Sequence, residues 1–299
     1  MEYQKTIAKK IVLEGEGIFS GKNIKVEIEP AKENSGINFI RGDLPEKPVI
    51  PLKIENVIGL DGATAVTDGK HFIYLVEHIL SALHGLQIDN ANIYVYGEEI
   101  PIFDGSAYPW VKKIQEVGYK LLFYPKKKLY LRKSFQYQNG TGKISFKPSN
   151  TLKIKASIYF EHSLIGHQSL EINITPRSYI QEVSFARTFG FKDILFERRN
   201  KGILKGGNLS NAIILDKDSI LNPEGLRIPD EFVRHKILDI IGDIFTLGQP
   251  LVAEIEAIYS NHRLHIEALK SIYKTGLLEE VESRALTFLL ISKKFKRTE

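Results

Sequence analysis

Apolar positions along the chain follow two periods. Lys25-Val26-Glu27-Ile28-Glu29 alternates residue by residue, as a strand with one buried face does. A longer apolar run at about 73–84, stopped by Gly85, has the length and spacing of a buried helix. Ala91 to Tyr96 returns to the strand pattern, Pro101 to Ser106 carries an Asp104-Gly105 turn pair, and a helix at about 107–117 ends at Gly118. Phe123-Tyr124-Pro125-Lys126-Lys127-Lys128 then reads as a linker. Beyond it the pattern predicts strands near 129–135, 143–147, 152–160 and 211–215. A helix at about 230–247, a strand near 251–258 and a helical stretch through about 263–290 follow.

The two halves echo one another. Val76-Glu77-His78 opens a helix with Gly85 seven residues after the histidine, and Val233-Arg234-His235 opens another with Gly242 seven after its own. Two strand-rich halves of this kind predict a duplicated α+β unit. The expected division is 1–124 and 125–299, the second ending in a helical extension.

The helix at 230–247 is the most informative element. Phe232, Val233, Ile237, Leu238, Ile240, Ile241, Ile244 and Phe245 make it apolar, yet His235, Asp239 and Asp243 recur every fourth position, with Lys236 beside them. Side chains four apart share a helix face. Burying such groups is costly unless they pair or hold a metal. A histidine and an aspartate four apart are common by accident, and a lone core histidine is usually just hydrogen-bonded. Glu77-His78, however, sits in a second apolar run, Phe72 to Leu80, and two helices with the same anomaly point to one shared site.

Three ligands of the His, His, Asp type leave a fourth position on zinc for water, whose pKa the metal lowers toward neutrality. Glu77, adjacent to His78, can take a proton from it. A leaving amine needs a proton donor, and His262, after the strand near 251–258, is the candidate. His71, His84, His162, His167 and His265 have no comparable context.

Composition narrows the chemistry. The 299 residues are 43% hydrophobic and 26% charged, as in soluble globular proteins. Apolar runs are broken by charge before they could span a bilayer, and Met1-Glu2-Tyr3-Gln4-Lys5 lacks an apolar signal core, so a cytoplasmic protein is expected. With no cysteine, thiolate metal sites are excluded. The net charge of +5 fits an anionic ligand, an anionic surface or a nucleic acid, and equally a mildly basic surface without specific meaning. Much of the excess lies in Lys126-Lys127-Lys128 with Arg132 and Lys133, and in Lys293-Lys294 with Lys296-Arg297. Neither cluster interleaves with aromatics as single-strand binding surfaces do.

Six ordered segments carry a resemblance. They are Val76 to Asn90, Glu99 to Ser106, Ala186 to Phe191, Lys205 to Asn211, Asn222 to Arg227 and Asp230 to Lys236. Together they resemble the zinc-dependent UDP-3-O-acyl-N-acetylglucosamine deacetylases of lipid A biosynthesis, over nearly the whole chain to about residue 275. The resemblance implies two α+β sandwiches with the active site between them. It implies His78, His235 and Asp239 as zinc ligands (iron(II) remaining open) and Glu77 as general base. It further implies His262 as general acid oriented by Asp243, Thr188 as an oxyanion donor, and Lys236 as a positive charge near the intermediate or the substrate. An apolar passage for the acyl chain would include Phe191 through Leu204. The expected partner is the UDP-linked acylated amino sugar, not nucleic acid, with at most peripheral membrane contact and a monomeric enzyme.

The chain departs from the family pattern in places. The early turn reads Gly17-Ile18-Phe19-Ser20-Gly21 where the family has histidine at the third position. Asn261 stands where the family has glycine, and Tyr259 replaces a basic residue, leaving Arg263 as a substitute contact for the diphosphate. His265 competes with His262 for the acid role. Two rival readings are a basic nucleic-acid-binding module and a relative that uses zinc only structurally.

Overall fold

The computed structural model describes residues 1–283. It is an α+β protein whose two halves share one strand plan. In the first half, β1 (Ile11–Glu16) and β2 (Asn23–Pro30) form a hairpin. β3 (Ile37–Arg41) and β4 (Val49–Pro51) form a second pair. β5 (Ala91–Tyr96) inserts between them, antiparallel to β2 and parallel to β3. Helix α1 (Glu77–Gly85) precedes β5 and α2 (Tyr108–Val117) follows it.

The second half repeats this order. β6 (Phe135–Asn139) and β7 (Gly142–Pro148) form one antiparallel pair, β8 (Lys153–Phe160) and β9 (Gly166–Asn173) another. β10 (Leu251–Ile258) lies between them, antiparallel to β7 and parallel to β8. Helix α3 (Lys192–Asn200) belongs to an insert, α4 (Glu231–Phe245) precedes β10 and α5 (His262–Lys274) follows it. The inserts occupy equivalent places. Between β4 and α1 lie three short strands, Val57–Gly59, Thr64–Thr67 and Phe72–Tyr74. Between β9 and α4 lie Phe189–Phe191, α3, Ile213–Asp216 and Ser219–Ile220.

Alternation builds the sheets. Ile24, Val26 and Ile28 of β2 and Ile154, Ala156 and Ile158 of β8 turn inward while the lysines and glutamates between them do not. Each sheet is covered by helices, and α1 and α4 are buried almost all round because they also pack on each other. Their contact is close enough to need glycine: a Cβ on Gly242 would lie 2.1 Å from the Glu77 carbonyl oxygen. At the other end of α1, a Cβ on Gly85 would lie 2.2 Å from the ring of Tyr179, in the short helical segment Tyr179–Val183.

Four expectations are corrected. Phe72–Tyr74 is a strand rather than helix, and the helix begins only at Glu77, after Leu75 adopts a φ of 63°. The linker at 123–128 does not exist. Tyr119–Pro125 pairs with Tyr3–Ile7, and Lys127–Leu131 pairs in parallel with β10 and antiparallel with Leu278–Glu282. Helix 263–290 stops at Lys274, Leu278–Glu282 being a strand; its last part and the cluster Lys293 to Arg297 lie outside the described residues. The lysine cluster at 126–128 is no free cationic patch. Lys126 is buried 2.8 Å from Asp89, Lys127 lies 2.7 Å from Glu280 and Lys128 lies 2.7 Å from Glu2. Among the described residues no helix is long and apolar enough to cross a membrane.

Candidate active site

α1 and α4 bring His78, His235 and Asp239 to one point, with one donor atom of each within 4.8 Å of the others. His235 Nε2 is 3.3 Å and His78 Nε2 3.9 Å from Asp239 Oδ1. Nitrogen and oxygen ligands about 2.0–2.1 Å from a tetrahedral zinc sit about 3.3 Å apart, so the gap fits a small divalent cation. A second group, Asp243, His262 and His265, is equally compact. There the separations are hydrogen-bond lengths: 2.8 Å from His262 Nδ1 and 2.7 Å from His265 Nδ1 to Asp243 Oδ2. These contacts are shorter than the separation of two ligands on one small cation, so the first group is the one with room for a metal.

Protonation agrees with that division. His235 Nδ1 is 3.0 Å from the Ala186 carbonyl, which can only accept, so the ring proton is there and the Nε2 lone pair faces Asp239. His78 Nδ1 is buried without a hydrogen-bond partner among the described residues. Burial pushes His78 down to about 3 and His235 downward, keeping both in the neutral form that ligates. Burial alone would raise Asp239, but the positive charges of Lys236 and His262 help to outweigh it and hold the carboxyl well below its ordinary range.

Glu77 and His262 face each other across this site. Glu77 Oε2 accepts the Thr64 backbone N–H at 3.0 Å, and Glu77 Oε1 lies 4.0 Å from His262 Nε2. Burial pushes the Glu77 carboxyl up to about 7. Burial opposes the charged form of His262, but the Asp243 and Asp239 carboxylates overcome it and push the imidazole up to about 10. Asp243 itself is held low, its burial outweighed first by His262.

His265, the rival for the acid role, sits behind His262 rather than in its place. Its Nδ1 meets Asp243 and its Nε2 lies 2.7 Å from Ser260 Oγ, so both nitrogens are engaged. His262 keeps Nε2 free and lines the cavity. The spacing of three between the two histidines, one helical turn, was the available signal. Asn261 caps α5, its side chain accepting the Leu264 N–H at 2.9 Å, which gives the departure from glycine a structural role.

A cavity of about 350 Å³ opens from the polar groups. Its lining combines Glu77, His78, Thr188, His235, Lys236, Asp239 and His262 with apolar side chains that include Phe160, Phe191, Ile194, Leu195 and Leu204. Thr188 is fixed by its backbone N–H donating to the Gly105 carbonyl at 2.7 Å, which draws the turn at 101–106 to the site. Lys236 Nζ lies 3.0 Å from Asp239 Oδ2 and 5.7 Å from the centre of the Phe189 ring. The two inserts meet at the rim, where Arg198 of α3 pairs with Asp61. The early turn is clasped from both sides: Phe19 and Ser20 N–H groups donate to the Glu99 carboxylate at 2.9 and 2.8 Å, and Lys205 N–H donates to the Phe19 carbonyl at 3.1 Å. Phe19 lines the cavity, as does Arg198; Arg263 is exposed and does not.

Comparison with known proteins gives the chain a family. Residues 4–274 match the family model described as UDP-3-O-acyl N-acetylglycosamine deacetylase. The UDP-3-O-acyl-N-acetylglucosamine deacetylase of Sulfurimonas denitrificans is 39% identical over 286 residues, 94% of this chain and 97% of that protein. The enzyme of the same name from Helicobacter hepaticus is 40% identical over 295 residues, 96% and 98% of the two chains. That from Myxococcus xanthus is 38% identical over 269 residues, 90% and 86%.

Proposed function

The chain belongs to the UDP-3-O-acyl N-acetylglycosamine deacetylase family, and from that premise we propose that it hydrolyses the N-acetyl group of UDP-3-O-(3-hydroxyacyl)-N-acetylglucosamine, releasing acetate and the free amine. The carrying observation is one juxtaposition. A three-ligand gap of metal size lies beside Glu77 Oε1 and His262 Nε2, 4.0 Å apart, in the wall of a largely apolar cavity.

A divalent cation, zinc with iron(II) as the alternative, would be held by His78, His235 and Asp239 and would supply Lewis acidity to the amide carbonyl. Glu77 then works as general base. Thr64 occupies its Oε2, so Oε1 receives the proton of the attacking water. A carboxyl near 7 can give and take a proton at neutral pH. His262 enters as imidazolium; Asp243 holds its Nδ1–H, and its Nε2–H protonates the amine nitrogen as the C–N bond breaks. The water oxygen leaves in acetate. The Thr188 hydroxyl donates to the tetrahedral oxyanion, and Lys236 adds positive charge nearby. The passage past Phe191, Leu195 and Leu204 receives the fatty acyl chain. In this reading 1–124 supplies Glu77 and His78, and 125–299 supplies the remaining groups. The enzyme works as a cytoplasmic monomer at the committed step of lipid A biosynthesis.

The test is acetate release from the UDP-linked substrate by metal-loaded and metal-stripped protein. Activity confined to the loaded form supports the reading, and full activity after proven removal of metal overturns the mechanism.

A further inference from the structure

The Thr64 hydroxyl has no part in the roles above, yet Thr64 touches two of the groups that carry them. It lies in the first insert, on the strand Thr64–Thr67, and is fully buried. Its backbone N–H donates to Glu77 Oε2 at 3.0 Å, and its carbonyl accepts the Val76 N–H at 3.1 Å, fixing the start of α1 against this strand. Its hydroxyl lies 2.6 Å from Asp243 Oδ1, in the other half of the molecule. An ionised carboxylate only accepts, so the hydroxyl is the donor.

The consequence for Asp243 is geometric. A carboxylate can swing about its last torsion, which is broad and two-fold. With Oδ1 held by Thr64, Oδ2 is left to receive both the His262 and His265 Nδ1–H groups. The ring of His262 is thereby turned so that Nε2 faces Glu77 Oε1. His265 is anchored from behind by Ser260 and cannot replace the hydroxyl on Oδ1 without giving up Oδ2.

We propose that Thr64 is a positioning residue for the hydrolysis, one side chain and its own backbone N–H tying the base to the partner of the acid across the two halves. This rests on the deacetylase reading. The role is carried by the hydroxyl, because the backbone contact to Glu77 survives substitution.

The experiment compares the metal-loaded wild type with Thr64→Val and Thr64→Ser, and repeats Thr64→Val in an Asp243→Ala background. Small misplacements of an acid–base group cost up to about 10²-fold, so Thr64→Val is expected to lower kcat about 10–100-fold with KM and bound metal unchanged. Thr64→Ser keeps the donor and should stay within about threefold. In Asp243→Ala, where the hydroxyl has lost its acceptor, Thr64→Val should cost almost nothing further. If valine is not accommodated, Thr64→Ala serves in the same cycle. Wild-type kcat in Thr64→Val, equal loss in the serine and valine forms, or an undiminished loss in Asp243→Ala would each overturn the assignment. A wild type without deacetylase activity would instead remove the reading on which it rests.

Discussion

The two halves share a strand plan and differ in what they bring to the centre. α1 and α4 stand in equivalent places, each with Val-x-His near its start and a glycine seven residues after the histidine. α1 contributes one ligand and the base, both from its first turn. α4 contributes two ligands and, one turn further on, Asp243. The helices after the central strands differ more. α5 begins with His262, whereas α2 buries Trp110, Val111 and Ile114 and faces no part of the site. A duplicated frame thus fixes where chemistry can sit, on the packed faces of two equivalent helices, without making the halves equal. The asymmetry resides in single side chains on matching elements, together with inserts of unequal length.

The comparison can be broken at its strongest point first. His78→Ala and Asp239→Ala should each abolish bound metal and acetate release together, measured by elemental analysis and product assay. If only one half's ligand matters, metal content will separate them. Next, Glu77→Ala and His262→Ala should each cost about 10²–10⁴-fold in kcat while retaining metal, one acting from each half. The pH profile sharpens the division. Activity needs Glu77 ionised, so kcat/KM rises as pH climbs through the Glu77 value, about 7 before a nearby cation lowers it. It needs His262 charged, so kcat/KM falls as pH climbs through the His262 value, about 10 before a cation on Asp239 withdraws part of its support. A single limb would mean that one of the two groups does not titrate in turnover. The smallest effect is on packing. Gly242→Ala and Gly85→Ala should each cost about 1–3 kcal/mol of stability, read from thermal unfolding, because both overpack a tight contact. Only Gly242→Ala should also lower kcat, since the atom it displaces belongs to the backbone of Glu77.

Much of this was legible in the sequence where polar residues interrupt an apolar period. The stripe on α4 and the pair at Glu77-His78 stood out because burial makes such groups expensive. The duplicated plan showed in the echo of the two helices. What stayed hidden depended on partners distant in the chain. Phe72–Tyr74 looked helical because a short buried strand and a buried helix share an unbroken apolar run. The lysines at 126–128 looked like a linker because charge beside proline usually marks exposed chain, and nothing local reveals Asp89, Glu280 and Glu2 as their partners. Thr64 had no pattern to betray it, since its acceptor lies far along the chain.

The position of β5 and β10 at the centre of their sheets has a consequence for synthesis. In each half the strand that joins the two pairs is made after both of them: Lys153 of β8 must await Glu254 of β10. Pairings so distant in sequence form slowly, because loop closure precedes any reward. A nascent chain therefore carries two separate hairpin pairs, with open edges, until Leu251–Ile258 leaves the ribosome. Ribosome-bound chains ended just before and just after that strand would bracket the moment at which the second half closes and its histidines first meet those of α1.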